Sequence, residues 1–465
     1  MLVCAVAAMF LPPMTMRTLA VLAWLAAAPC AVSAQGAPAN QAHSDPAHAW
    51  QAWVLGTQIN VIVQHLNPLR SPYSGPNSLS GTGDSQTSYA FGLYTGARLW
   101  RGLEGYLDIE MIQGHGVGNV TGLGGITNGD VLRQGSTDLG NGPYVARAFL
   151  RYSVAFEGES ADTASAAPDQ IPMRAARRRF EISAGKLALN DVFDVNRYAM
   201  STRLQFMNWG LWQNTAWDFA ADTRGYSNGV AVAWITPRWA LRAASFQMPT
   251  AANGNKFDSH LLDAHGDQIE LTISPWHSGF VARAMVYENH ARMGDYAEAL
   301  RIGAADRRSP DIAADDVSGR IKYGYGINIE QPLADSGETG AFARFGWNDG
   351  RTESFAFTEV DQHLSAGMQI AGGHWGRLAD RVGIAALRHD LSGIHRAYLA
   401  AGGAGFLLGD GRLTYGSERI VEGYYRWQAT RWLQLSGDAQ WIVNPGYNRD
   451  RGPATVFSFR ANLRY

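Results

Sequence analysis

At 465 residues with 46% apolar side chains, the chain is too hydrophobic for wholesale disorder and long enough for one large domain or two to three ordinary ones. A net charge of -2 argues against a nucleic-acid or anionic-lipid partner held by bulk electrostatics. With 52 Gly, 15 Trp, 18 Tyr, only 17% charged residues and a mean hydropathy of -0.18, the chain is rich in glycine and aromatics. Past Gln35 it has no run of the ~18 apolar residues a membrane helix needs.

The first 34 residues read as an export signal. Met16-Arg17 supplies a start and a positive charge, Thr18 to Ala28 an apolar core, and Val32-Ser33-Ala34 a small-residue cleavage site. Both cysteines, Cys4 and Cys30, fall inside this region, so the expected mature chain has no thiol for a disulfide, a zinc site or a nucleophile. A short segment, 35–50, follows, and 51–465 is read as one domain.

Within that domain the dominant signal is period two. Glu104 to Met111 sets Gly105, Leu107, Ile109 and Met111 against Glu104, Tyr106, Asp108 and Glu110. From Tyr144 to Phe156 the expected outer face is Tyr144, Ala146, Ala148, Leu150, Tyr152, Val154 and Phe156, with Arg147, Arg151 and Ser153 opposite. The same alternation recurs over Lys322 to Glu330, Val421 to Gln428 and Leu433 to Val443. It ends in Val456 to Tyr465, where Phe457, Phe459, Ala461 and Leu463 oppose Ser458, Arg460, Asn462 and Arg464. Successive strand side chains point to opposite faces, so each segment has one oily and one polar face. A mean hydropathy near zero fits, because only alternate residues meet lipid.

The connections alternate between short turns and long loops, as between Trp100 and Leu103 against Gln113 to Pro143. The chain therefore reads as an all-β, closed antiparallel transmembrane β-barrel of about 16 strands, with long extracellular loops and short periplasmic turns. One connection, Glu157 to Arg178, breaks the pattern by being long where a short turn is due. A barrel of this size is too wide for side chains to fill and leaves an aqueous channel.

Charges on the polar faces then point into the lumen: Asp108, Glu110, Arg147, Arg151, Glu270, Arg344, Glu422, Arg426 and Asp438. Acids and arginines on opposing walls offer charge-assisted hydrogen bonds to hydroxyl-rich neutral solutes. The long segment Leu187 to Ser227 adds Trp209, Trp217, Asp222 and Arg224; folded inward, its aromatics would stack on a pyranose face while its charges take hydroxyls. Binding must stay weak enough for exit.

Several blocks resemble the carbohydrate-selective porin (OprB-like) family of bacterial outer membranes. They are Arg70-Ser71-Pro72-Tyr73-Ser74-Gly75-Pro76-Asn77, Asp191-Val192-Phe193-Asp194, Gln205-Phe206-Met207-Asn208-Trp209, Ala221-Asp222-Thr223-Arg224-Gly225-Tyr226, Phe345-Gly346-Trp347-Asn348-Asp349-Gly350 and Asn444-Pro445-Gly446-Tyr447. The resemblance runs from about Trp53 to Tyr465 and implies a barrel channel that takes up glucose and related sugars passively, without cofactor. Implied partners are small-molecule sugars, outer-membrane lipid and the barrel-assembly machinery, with a homo-oligomer left open and no nucleic acid. Rival readings are a porin for other small polar solutes such as organic acids, an anchor or adhesin, and a barrel hydrolase. For the last, His363 and Ser365 share a strand face, but nothing in the sequence orders them into a triad. No enzyme activity, metal or cofactor is expected.

Overall fold

The alternating segments close into one wall. The computed structural model describes residues 52–465 apart from 132–138, 157–160, 165–169, 172, 276–278 and 356–357. The expected signal peptide (1–34) and the segment 35–50 lie outside the described residues. The strands are β1 (Trp53–Leu66), β2 (Asp84–Trp100), β3 (Leu103–Gly114), β4 (Tyr144–Ala155), β5 (Ala161–Ala164), β6 (Met173–Ala176), β7 (Arg179–Leu187), β8 (Ser227–Ile235) and β9 (Trp239–Gln247). The second half holds β10 (His265–Ile273), β11 (Val281–Met293), β12 (Val317–Ala334), β13 (Thr339–Asn348), β14 (Gln362–Ala371), β15 (Arg381–Asp390), β16 (Glu418–Gln428), β17 (Leu433–Val443) and β18 (Ala454–Arg464). All but β5 and β6 form a closed 16-strand barrel in which every neighbour is antiparallel. It is sealed where β1 meets β18, with Ile62 opposite Arg460 and Asn60 opposite Asn462.

Burial follows the expected faces. On β18, Phe457 and Phe459 are 50% and 48% exposed on the outer surface, whereas Arg460 and Asn462 are buried inside. Exposed aromatics ring the short-turn end, among them Trp53, Trp100, Tyr152, Trp427 and Tyr465. The Trp234 and Trp239 rings meet there at 5.3 Å. Such amphipathic rings suit the lipid–water interface.

Strand β4 departs from the expected phase. Asp108 pairs with Arg147 but Ile109 pairs with Val145, which leaves Ala146 as a bulge. One extra residue flips every side chain beyond it to the other face. Tyr144 and Ala146, expected outside, therefore turn inward: Tyr144 donates its hydroxyl to Glu110 at 3.3 Å, Ala146 is fully buried, and Val145 takes the outer position.

The long connection between β4 and β7 has its own fold. Strands β5 and β6 pair as a separate two-stranded sheet. Between them Ile171 reaches the barrel mouth, fully buried, with its N–H on the Tyr106 hydroxyl at 3.5 Å.

At the opposite end, two helices pack within the long loops: α2 (Tyr296–Asp306), capped by Asp295, and α3 (Gly393–Ala400), capped by Ser392. Tyr296 stacks on His395 with ring centroids 4.2 Å apart. Loop 188–226, which carries the single-turn α1 (Trp209–Trp212), does not stay outside but enters the lumen.

Candidate functional site in the barrel lumen

The wall grips loop 188–226 by its backbone. Glu270 accepts the Asp194 N–H at 2.8 Å, and Glu330 accepts the Arg197 N–H at 2.6 Å. Glu422 accepts the N–H groups of Met207 and Asn208 at 2.5 and 3.0 Å. Arginines hold the carbonyls. Arg344 donates to Ala199 O at 2.7 Å, Leu211 O at 3.1 Å and Asp194 O at 3.2 Å, and to the Asp194 carboxylate at 3.1 Å. Arg426 reaches Leu204 O at 3.2 Å, and Arg460 reaches Gln205 O at 2.9 Å as well as Thr202 O. An irregular loop inside a barrel has no ladder to satisfy its main chain, and charge-assisted bonds from the wall fill that role.

Five inward charges read from the sequence therefore lie beneath the loop. Glu270, Arg344, Glu422 and Arg426 are loop anchors, and Asp438, 6% exposed, is buried on the same wall. Their inward direction is as expected; an open, solvated face for them is not what the structure has. His363 and Ser365 are equally covered. The His363 ring bonds Ser365 Oγ at 2.9 Å and Thr215 Oγ1 of the loop at 2.8 Å, out of reach of a substrate.

The two tryptophans are likewise corrected. Trp217 is 1% exposed, with Phe219 and Phe193 at 5.0 and 6.1 Å, and Trp209 packs on Trp212 at 4.7 Å. The loop does fold inward, but these indoles are buried in a core and leave no ring face open to a solute. A chain segment inside a barrel still has to bury its apolar side chains, and here it does so in one cluster with the wall and other loops, among them Ile126, Phe246 and Tyr287.

The remaining predicted residues come together on the opposite side, along β3, β4 and β7. Arg147 binds Asp191 through two bonds of 2.7 and 2.9 Å, lies 3.5 Å from Asp108, and sits over the Tyr226 ring at 5.3 Å. The Arg147 and Asp191 side chains keep 13% and 33% of their exposure, so solvent reaches them within the barrel. Glu110 accepts the hydroxyls of Tyr226 at 2.6 Å and Tyr94 at 3.1 Å. Asp222 is fixed by the N–H groups of Arg224 and Tyr226, with Lys186 Nζ at 3.8 Å. Burial raises its pKa, an effect the Lys186 ammonium opposes. The Arg224 guanidinium lies 4.5 Å over the Tyr144 ring. Arg151 stands apart, toward the short-turn end, over the Tyr106 and Phe149 rings.

Below this cluster, paired charges continue toward the short-turn end: Arg179 with Glu181 at 2.6 Å, Arg242 with Glu270 at 3.6 Å and Arg283 with Glu330 at 3.4 Å. Sequence reasoning missed Arg203, which joins loop 188–226 to the wall through Glu110 and Tyr94 at 3.1 and 2.6 Å and to Asp130 of the β3–β4 loop at 2.9 Å. It lies in the loop, where no periodicity marks a direction. It also missed the inward turn of Tyr144, which the bulge decides.

Comparison with known proteins gives this lumen a family. A profile of the carbohydrate-selective porin, OprB family matches residues 77–465. No curated protein matches in sequence. Among solved structures, the high-pH form of Pseudomonas putida OprB superposes with a TM-score of 0.67 at 16% identity, covering 89% of this chain and 94% of that one. The outer membrane channel DcaP of Acinetobacter baumannii gives 0.50 at 10% identity, covering 89% and 97%. At such identities the likeness establishes the fold, and the family match carries the rest. Together they point to an outer-membrane channel rather than an enzyme: the chain belongs to the carbohydrate-selective porin, OprB family.

Proposed function

We propose that the barrel passes glucose-like mono- and oligosaccharides by passive diffusion, along the lumen wall formed by β3, β4 and β7 to β11. The observation that supports this most is Arg147 held between Asp108 and Asp191 beside the Tyr226 ring, partly exposed within the barrel. Acid and base alternate there at hydrogen-bond spacing, an arrangement that exchanges bonds with hydroxyls without a net charge to trap an ion. Arg224 extends the same surface, with the buried Asp222 holding its backbone, and Arg151 stands nearer the short-turn end. Each neighbouring carboxylate also opposes an anionic solute, which ranks organic acids second.

The test is single-channel current in a planar bilayer with glucose or maltose added. Wild-type current is expected to fall with sugar, and Arg147→Ala to weaken that block by about tenfold in sugar affinity, the loss of one charge-assisted bond pair. Sugar-independent current, or block that Arg147→Ala leaves unchanged, would refute the assignment. Trp217→Ala should behave differently: losing a buried ring destabilises the loop by roughly 3–5 kcal/mol and makes the current noisy rather than selectively weakening block.

A further inference from the structure

Behind the rings beside Arg147, one carboxylate collects four donors. Glu110 Oε2 accepts the hydroxyls of Tyr226 at 2.6 Å and Tyr144 at 3.3 Å, and its Oε1 accepts the Tyr94 hydroxyl at 3.1 Å and the Arg203 guanidinium at 3.1 Å. The side chain is 3% exposed, too deeply covered to touch a solute. Whatever Glu110 does for the lumen has to pass through the groups it holds.

Two of those groups carry cations. The Tyr226 ring lies against Arg147 at 5.3 Å and Lys186 at 5.9 Å, and the Tyr144 ring against Arg224 at 4.5 Å. The two rings are neighbours, 6.3 Å apart and tilted by 53°. A hydroxyl bonded to a buried carboxylate fixes where its ring lies, and the negative face of the ring then favours one place for the cation above it. Tyr226 is also held by its main chain, with its N–H on Asp222 Oδ1 at 3.1 Å and its carbonyl on the Asp222 N–H at 2.8 Å. Tyr144 stands directly opposite Glu110 across β3 and β4, and it faces inward because of the bulge at Ala146. The bulge thus brings a second ring, and with it Arg224, to the same carboxylate.

We infer that Glu110 is a positioning residue for solute binding: through Tyr226 and Tyr144 it sets where Arg147 and Arg224 stand on the lumen wall. This rests on the assignment of Arg147 to the sugar site. A competing role is structural, because the same carboxylate anchors loop 188–226 through Arg203. The two roles differ in which neighbour Glu110 is coupled to. Positioning couples it to the Tyr226 hydroxyl, and anchoring couples it to the Arg203 guanidinium.

Current block by glucose in a planar bilayer, measured on the full-length folded barrel as a double-mutant cycle, separates them. Glu110→Gln keeps the side-chain size, but its amide nitrogen cannot face the Arg203 guanidinium and so turns to the tyrosines; block is expected to weaken about fivefold. Tyr226→Phe, which removes only the hydroxyl, should also weaken it about fivefold. Because both changes break the same bond, the double variant should lose about fivefold rather than about twenty-five-fold. In each variant sugar affinity should change by a larger factor than KCl conductance. Losses that multiply in the double variant overturn the inference. So does a Glu110→Gln effect that couples to Arg203→Met and shows as raised conductance, which would return Glu110 to loop anchoring. Block that weakens in Arg147→Ala but in neither Glu110→Gln nor Tyr226→Phe refutes the positioning role alone, whereas block unchanged in Arg147→Ala removes the sugar site and this inference with it.

Discussion

Arg344→Ala is expected to raise single-channel conductance and to lose most of the sugar block, while the barrel itself still folds. The side chain is 1% exposed, and its guanidinium serves four acceptors of loop 188–226. Removing it leaves the Asp194 carboxylate and three carbonyls buried with lost partners, and breaking a buried ion pair from one side costs roughly 3–5 kcal/mol. The strand carrying Arg344 is held independently by backbone pairing to Asn328 and Ser365, so the penalty falls on the loop. A loop that leaves the lumen widens it. The measurement is bilayer conductance beside a heat-modifiability gel; a folded barrel of unchanged conductance would mean that the other anchors hold the loop alone. Asp194→Asn should be milder, because its side chain can still accept the Asn214 N–H now bound at 2.8 Å.

Raising the pH from 6 to 9 should loosen the long-loop end, through Glu353. This residue of loop 349–361 accepts the Gly294 N–H at 3.1 Å and is 8% exposed. Burial, reinforced by the neighbouring Asp316 carboxylate, pushes its pKa up to about 8 from the ordinary 4.5. A carboxyl whose folded pKa is raised binds its proton more tightly in the folded state. Its contribution is therefore complete below about 4.5 and is lost progressively as pH rises to about 8. Over that window the linkage amounts to several kcal/mol in order of magnitude. Limited proteolysis should show faster cleavage within 294–316 and 349–361 at pH 9 than at pH 6. Glu353→Gln, neutral throughout, should flatten the difference. A pH response that survives in this variant would place its origin elsewhere.

The lumen explains why some inward charges were legible as such and their roles were not. The direction of Glu422 follows from the period of its own strand, but its partner, Met207 N, lies 215 residues away. Arg344 and Asp194 are 150 residues apart. Nothing local distinguishes an inward arginine that faces water, as Arg147 does, from one that clamps a loop. The indoles of Trp209 and Trp217 pose the same difficulty, since an aromatic loop reads alike whether its rings face a solute or each other. Tyr144 shows a smaller version: a single bulged residue at Ala146 leaves no compositional mark, yet reverses the face of what precedes it.

By itself the sequence determined the wall. Period two, polar against apolar, is a property of each strand alone, and with the alternation of short and long connections it specified a closed barrel with its ends on one side. The tertiary structure alone decided the interior, because a lumen is filled by segments distant in the chain. Loop 188–226 satisfies much of its backbone against charges already aimed inward from the wall, and part of the rest against the β3–β4 loop. Where those bonds formed, the charges became anchors, and where the loop left Arg147 partly uncovered, that side chain stayed within reach of solvent together with its loop partner Asp191.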